Sequence, residues 1–495
     1  MLSFLLSLAA LVVGYLLYGR FVERVFAPDD RPTPAIAKRD GVDYTPLPAW
    51  KIFMIQFLNI AGTGPIFGAI MGAKFGPAAY LWIVFGCIFA GAVHDYLSGM
   101  LSVRHGGANL PDLIGIYLGK NTKRVMLVFC VFLLMMVGTV FVYSPAKILG
   151  GIWEPEFFVN YLGHSSFWII IVFAYYIIAT MLPVDKIIGR IYPLFAFALI
   201  FMAIALMVVL FVKFPDIPEI WEGLSNTPGG SLTASPIFPC LFISIACGAI
   251  SGFHATQSPL MARCITREKQ GRPIFYGAMI TEGIVALIWA AVASYFFYGK
   301  PEPAFHLIPG GEAALGSAPA IVNLVCRNWL GIFGGVLALL GVVAAPITSG
   351  DTALRSARLI IADFLHLEQK TVRKRLYICI PLFALVFALL LWQMNDAGGF
   401  EMIWGWFGWS NQALSVFTLW ALTVYLTLQR KPFWITLIPA LWMTWVCTAF
   451  LMITPTAFGM KPLWGYLIGL AAVLTAIVLF TRWQRTLRGS RLNAL

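Results

Sequence analysis

Apolar runs of about twenty residues recur along the chain, separated by short polar stretches. Thirteen can be placed: residues 2–19, 50–72, 77–101, 125–149, 166–183, 191–213, 237–259, 274–298, 327–350, 376–394, 402–428, 434–453 and 463–481. A hydrocarbon layer about 30 Å thick needs about 20 residues of helix to cross it. The runs are continuous and do not alternate, so they read as spanning helices and not as barrel strands. The run at 327–350 is expected to continue as helix toward Phe364, and Leu110–Leu118 reads as a short helix at the inner surface.

Two runs are interrupted. In the first, Asn59-Ile60-Ala61-Gly62-Thr63-Gly64-Pro65-Ile66-Phe67 places two glycines and a proline within four residues. Proline lacks an N–H and glycine costs backbone entropy, so neither suits a helix interior. In a bilayer the freed backbone groups are tolerable only against protein, water or a ligand. The second is Cys247-Gly248-Ala249-Ile250-Ser251-Gly252-Phe253-His254-Ala255-Thr256-Gln257-Ser258-Pro259. Paired breaks at corresponding positions of two halves are the sequence pointer to a transporter binding site; a kinked, packed helix is the plainer reading of either alone.

Loop charge sets the orientation. Arg104, Lys120, Lys123 and Arg124 fall in one loop, and Arg263, Arg267, Lys269 and Arg272 in another. Arg355, Arg358, Lys370, Arg373, Lys374 and Arg375, then Arg430 and Lys431, then the tail from Arg482 to Arg491, complete the basic set. Between them, Pro215–Pro236 carries Asp216, Glu219 and Glu222 with no Lys or Arg, and Gly299–Ala318 carries Lys300 alone. Basic loops stay inside. The N-terminus is therefore expected outside and the C-terminus in the cytoplasm, with the two broken runs oppositely directed. The chain divides into an N-terminal extra helix and loop (1–49), a first five-helix repeat (50–213), an outer loop (214–236), an inverted second repeat (237–428), and two extra helices with a basic tail (429–495).

Composition agrees. Of 495 residues, 60% are hydrophobic and 11% charged, and the mean hydropathy of +0.83 excludes a soluble globule. The net charge of +12 sits in orienting loops, so no nucleic-acid partner is expected; lipid is. The eight cysteines are scattered in apolar runs with no CxxC pair, and no metal or disulfide role is expected of them. The first run has no basic segment before it and no small-residue cleavage site after it, so it is expected to be retained.

The stretch Phe57-Leu58-Asn59-Ile60-Ala61-Gly62-Thr63-Gly64-Pro65-Ile66-Phe67-Gly68-Ala69-Ile70-Met71-Gly72 is followed by Leu81 to Met100, containing His94-Asp95-Tyr96, and by Arg104-His105-Gly106-Gly107. Together with Ser251–Pro259 this closely resembles the carbon starvation protein A (CstA) family over about residues 50–420. The resemblance implies uptake of peptides or pyruvate across the bacterial inner membrane when carbon is scarce, the latter by proton symport. It also implies the LeuT-like five-plus-five inverted repeat of the amino acid–polyamine–organocation superfamily. The chain is shorter than well-known members at its C-terminal part, which puts any substrate determinant located there in doubt.

On this reading a substrate carboxylate meets the half-helix N-termini at Asn59, Gly62, Thr63 and Gly64 and at Gly252, His254, Thr256 and Gln257. Candidates for proton or cation coupling are His94, Asp95, Ala61, Glu282, Thr348 and Ser349; the last two rest on the LeuT-like comparison. His94 and Asp95 are placed near the inner end of their run, with pairing of Asp95 to Arg104 as the alternative. Glu282 is placed in the inner half of its run, with a cytoplasmic arginine as the alternative partner. For Thr348 and Ser349 the alternative is bonding back to their own helix. Arg104 and Asp351 are gate candidates, and Asn411 and Gln412 line the pathway. No cofactor is expected beyond a coupling H+ or Na+, and no oligomeric state follows. No HExxH or nucleotide motif supports an enzyme or direct ATP drive. A channel, or a sensor without concentrative transport, is the alternative to a transporter.

Overall fold

The computed structural model describes residues 1–40, 43–181, 184–224, 236–298, 318–367, 369, 371–395 and 399–492. Among these residues the regular structure is helix, without strand. Among the described residues nine helices are long and apolar enough to cross a membrane, or up to 11 if each bent pair is one span. The expected run 237–259 divides into two short helices, and 327–350 lies inside one long one.

The chain begins with α1 (Leu2–Phe26). The first broken pair follows: α2 (Ala49–Ile60) and α3 (Gly64–Phe75), bent by 53°. Pro65 sits at the start of the resumed helix, where a missing N–H removes no bond. Next come α4 (Ala78–Arg104), α5 (Leu110–Leu118) and α6 (Lys120–Gly150). A second bent pair, α7 (Glu156–Leu162) and α8 (Ser166–Met181), turns through 94°, and α9 (Val184–Lys213) ends the first half.

The second half opens on the other break, between α10 (Ile237–Ser244) and α11 (Gly252–Ala262). After α12 (Glu268–Phe296) comes α13 (Ala318–Phe364), which starts earlier than expected and is interrupted at Gly331, where φ is 65°. It reaches Phe364 as the sequence suggests. Then follow α14 (Val372–Asn395), α15 (Gly399–Leu428), α16 (Trp434–Ile453) and α17 (Pro462–Leu492).

Burial separates core from rim. The most apolar window of α12 is 89% buried and that of α4 is 83%, against 17% for α17. Leu463, Leu467, Leu474 and Leu479 on α17 are exposed, as a helix facing hydrocarbon requires. In the interior α4 packs on α11, α11 on α15, and α13 on α6 and α9.

The two breaks meet. A Cβ on Gly64 would stand 2.3 Å from Cys247 Sγ, and one on Gly252 would stand 2.4 Å from both Asn411 O and Ser415 N. Both positions therefore need glycine for close approach. The loops expected inside gather at one end. Arg104 reaches Glu268 and Ala27 O, Lys269 reaches Asp30, and Lys431 reaches Phe26 O. Glu219 bonds the amino end of α1 at Met1. Of the loops expected outside, 225–235 and 299–317, including Lys300, lie outside the described residues.

Candidate functional site

Beside the facing breaks, four ionisable side chains form a row. Asp95 on α4 holds His94 Nδ1 at 2.8 Å from its Oδ1 and His254 Nδ1 at 2.7 Å from its Oδ2. His254 Nε2 lies 3.4 Å from Glu282 Oε2 on α12. All four residues are fully buried. A carboxylate only accepts, so each imidazole donates from Nδ1, and the Nε2 of His254 is turned toward Glu282. Neither Glu282 oxygen has a hydrogen-bond partner, nor has His94 Nε2.

This geometry replaces the two alternative pairings. Arg104 does not meet Asp95: nine residues further along α4, it is about 13 Å away along the axis. It instead bonds Glu268 through Nη2 at 3.0 Å and Nε at 3.1 Å. Its guanidinium also lies over the Phe26 ring, 3.9 Å from the centroid. Glu282 does not meet a cytoplasmic arginine either. Arg272, near the start of α12, pairs with Glu23 at 2.8 Å. Asp95 lies nine residues before the end of α4, and Glu282 lies at the middle of α12.

The remaining candidates separate by contact. Asn59 and Thr63 are buried at the first break, and their side-chain polar atoms have no hydrogen-bond partner. Gly62 is packed on Phe141, with its would-be Cβ 3.2 Å from Ser349 Oγ. Ala61 ends α2, its N–H bonding Phe57 O at 2.8 Å. Ser349 Oγ donates to Leu58 O at 2.9 Å, bringing α13 to the first break. Thr348 instead bonds back to Ala344 O and Ala345 O. Asp351 accepts from Tyr192 OH at 2.6 Å, whereas Arg104, its fellow gate candidate, bonds Glu268.

At the second break Asn411 Oδ1 accepts from Phe253 N at 2.7 Å and from Ser251 Oγ at 3.0 Å. A side-chain carbonyl thus caps α11, at the end where the sequence places a substrate carboxylate. Thr256 bonds back to Phe253 O, Gln257 Nε2 donates to Thr256 Oγ1, and Gln412 Nε2 donates to Phe242 O at 2.9 Å. Sequence reasoning did not find Cys247 as a member of the site. Its Sγ and a ligand atom each of His254 and Glu282 lie within 4.8 Å of one another.

At the Arg104 end, outside the spans, hydrogen bonds from Arg31 hold the Asp29 carboxyl well below the usual range. Burial, with Arg104 nearby, lowers the Lys431 ammonium. A polar cavity of about 560 Å³ opens at this end, lined by Lys38, Asp43, His105, Asn109, Arg263 and Asp363 among others.

Residues 1–151, 145–313 and 304–450 match the family described as "Carbon starvation protein CstA". The chain belongs to the CstA family. Within and around that family, an uncharacterized membrane protein of Haemophilus influenzae is 47% identical over 358 residues, covering 64% of this chain and 96% of that protein. The peptide transporter CstA of Bacillus subtilis is 29% identical, covering 86% and 85%. The pyruvate/proton symporter BtsT of Escherichia coli is 24% identical, covering 92% and 80%. In fold, the CstA-family chain is similar to a manganese transporter of Eremococcus coleocola, with TM-score 0.56 and 12% identity over 90% of this chain and 98% of that one. The helices and the family together make it a multi-pass membrane protein.

Proposed function

We propose that this CstA-family protein is a cation-coupled secondary transporter that imports peptides or pyruvate across the bacterial inner membrane during carbon starvation. The single observation that carries the reading is the meeting of the two helix breaks at Gly64 and Cys247, beside the buried row His94–Asp95–His254–Glu282. Irregular backbone at mid-membrane is stable only where it lines a pathway or is packed on protein. Intramembrane ionisable groups are costly and mark ion or proton routes.

In this reading the chain has thirteen spans, with residues 50–213 and 237–428 as LeuT-like inverted repeats, N-terminus outside and C-terminus in the cytoplasm. The substrate is a small carboxylate. Asn59 and Thr63 contact it at the first break, with the backbone from Gly62 to Gly64. Gly252, Thr256 and Gln257 shape the opposite wall, and Asn411 and Gln412 hold that wall in place. Proton symport is the coupling that the row best suits, with Asp95 and Glu282 as acceptors and the histidines as carriers between them. Ser349 at Leu58 O ties the first break to the second repeat. The Arg104–Glu268 pair closes the cytoplasmic end, and the repeats rock to expose the site alternately.

The test is uptake of radiolabelled pyruvate and of a dipeptide into proteoliposomes, with proton and sodium gradients imposed separately. Accumulation above equilibrium under the proton gradient is the expected result. Equilibration without accumulation would make the protein a channel, and no uptake of either substrate would sink the transport reading.

A further inference from the structure

We infer that Cys247, His254 and Glu282 form a binding site for a divalent cation of the zinc and cobalt class. The inference goes beyond the transport reading and stands without it. The three residues offer one sulfur, one nitrogen and one carboxylate oxygen within 4.8 Å of one another, all buried. Four-coordinate zinc holds such ligands at about 2.0–2.3 Å, which sets them roughly 3.3–3.6 Å apart. His254 Nε2 and Glu282 Oε2 are already 3.4 Å apart, so the thiol has only a small movement to make.

The surroundings fit a metal ligand set. Asp95 Oδ2 accepts a hydrogen bond from the Nδ1–H of His254 at 2.7 Å. That fixes the tautomer and turns the Nε2 lone pair toward Glu282, the arrangement in which carboxylates orient metal-binding histidines. A lone pair facing a carboxylate with no hydrogen bond between them is repulsive unless a cation joins them. Among the described residues neither Glu282 oxygen has a hydrogen-bond partner. Asn411 Nδ2 points at Cys247 Sγ from 3.7 Å and Ser251 Oγ stands at the same distance, so the sulfur has its own supporting contacts.

Charge balances as well. Binding forms one M–S, one M–N and one M–O bond to the protein, a water supplies the fourth ligand, and the thiol proton, together with any proton on the Glu282 carboxyl, leaves to solvent. A dication with a thiolate and a carboxylate sums to zero, so binding adds no charge to the interior beyond that of the Asp95 carboxylate already there. Mixed sulfur and nitrogen ligands select against Mg2+ and Ca2+, which take six or more oxygens. A proton joins His254 to Glu282 in the transport reading, so proton and metal are alternative occupants of one gap.

The experiment is titration of purified, untagged full-length protein with Co2+, read by absorbance without any transport assay. One equivalent is expected to bind, with the visible bands of tetrahedral cobalt and a thiolate-to-cobalt band in the near ultraviolet, both bleached by Zn2+. Cys247→Ser is expected to remove the thiolate band, Glu282→Gln to weaken binding, and Asp95→Asn to weaken it about 10–100-fold. Cys447→Ser, on α16, is expected to leave the spectrum unchanged. If Cys247→Ser does not purify as a folded protein, Cys247→Ala serves the same purpose. Absence of stoichiometric binding, or a thiolate band that survives loss of Cys247, overturns the site. Uptake measured separately decides the transport reading whichever way this result falls.

Discussion

His254 Nδ1 and Asp95 Oδ2, 159 positions apart in the chain, lie 2.7 Å from each other in the dry interior. That hydrogen bond ties α4 of the first half to α11 of the second. It is made by two residues that each sit beside a helix break.

Removing one member of such a pair leaves the other buried without compensation. Asp95→Ala should therefore lower stability by about 3–5 kcal/mol. Asp95→Asn, which keeps shape and one acceptor, should cost less yet still abolish gradient-driven uptake. Thermal unfolding in detergent and proteoliposome uptake check both. Normal accumulation by folded Asp95→Asn would remove it from the coupling route.

The packing glycines differ in what they press against. An added methyl at Gly64 meets the Cys247 side chain, while at Gly252 it meets backbone of α15. Overpacking costs about 1–3 kcal/mol where neighbours can shift. Gly252→Ala should therefore lower the unfolding temperature more than Gly64→Ala. Cys247→Gly should restore Gly64→Ala and leave Gly252→Ala unrepaired.

Asn411 caps α11 through Phe253 N. Asn411→Ala should cost about 1–2 kcal/mol, and Asn411→Asp, which retains the acceptor, should recover most of it. Unfolding midpoints of the two variants compare them. Equal losses would mean that the donor side of the amide, facing Cys247, matters more than the cap.

Arg104 and Glu268 join α4 to the start of α12 at the basic end. If this end opens in each cycle, a bis-methanethiosulfonate cross-linker joining Arg104→Cys to Glu268→Cys should stop uptake, and a reductant should restore it. Uptake that continues with the bridge shown intact would place the moving gate elsewhere.

Asp29 and Asp95 should behave differently with pH. The folded pKa of Asp29 lies below its unfolded value of about 3.9, through hydrogen bonds from Arg31. Its contribution is present above that value and lost only as pH falls through the folded one. Asp29→Asn should thus leave the pH profile of uptake between 5 and 8 unchanged, whereas folded Asp95→Asn should show no accumulation at any pH in that range. A shifted profile in Asp29→Asn would assign the pH response to the Arg104 end.

Both breaks were legible in the sequence, because glycine, proline and small hydroxyls stand out within apolar runs. The helix at Leu110–Leu118 and the extension to Phe364 were legible for the same local reason: periodicity and composition act over neighbouring residues. Partners across the fold were not. Nothing near Asp95 in the chain says that His254 and not Arg104 will meet it, and nothing near Arg104 points to Glu268. Cys247 looked like one of several apolar cysteines until packing placed it against Gly64. The capping of Phe253 by Asn411 likewise depends on α15 crossing the end of α11, which no local pattern announces.

The separation of Asp95 from His254 has a consequence for how the protein is made. At 5–20 residues per second, the ribosome needs about 8–30 s to deliver the 159 residues between them. Throughout that interval α4 enters the bilayer with an aspartate that insertion scales charge at about 2.5–3.5 kcal/mol. Its neighbour His94, bonded to the other carboxylate oxygen at 2.8 Å, is synthesised with it and can accompany it into the membrane. The adjacent histidine is thus an interim companion, keeping the nascent helix insertable until the second half of the chain arrives.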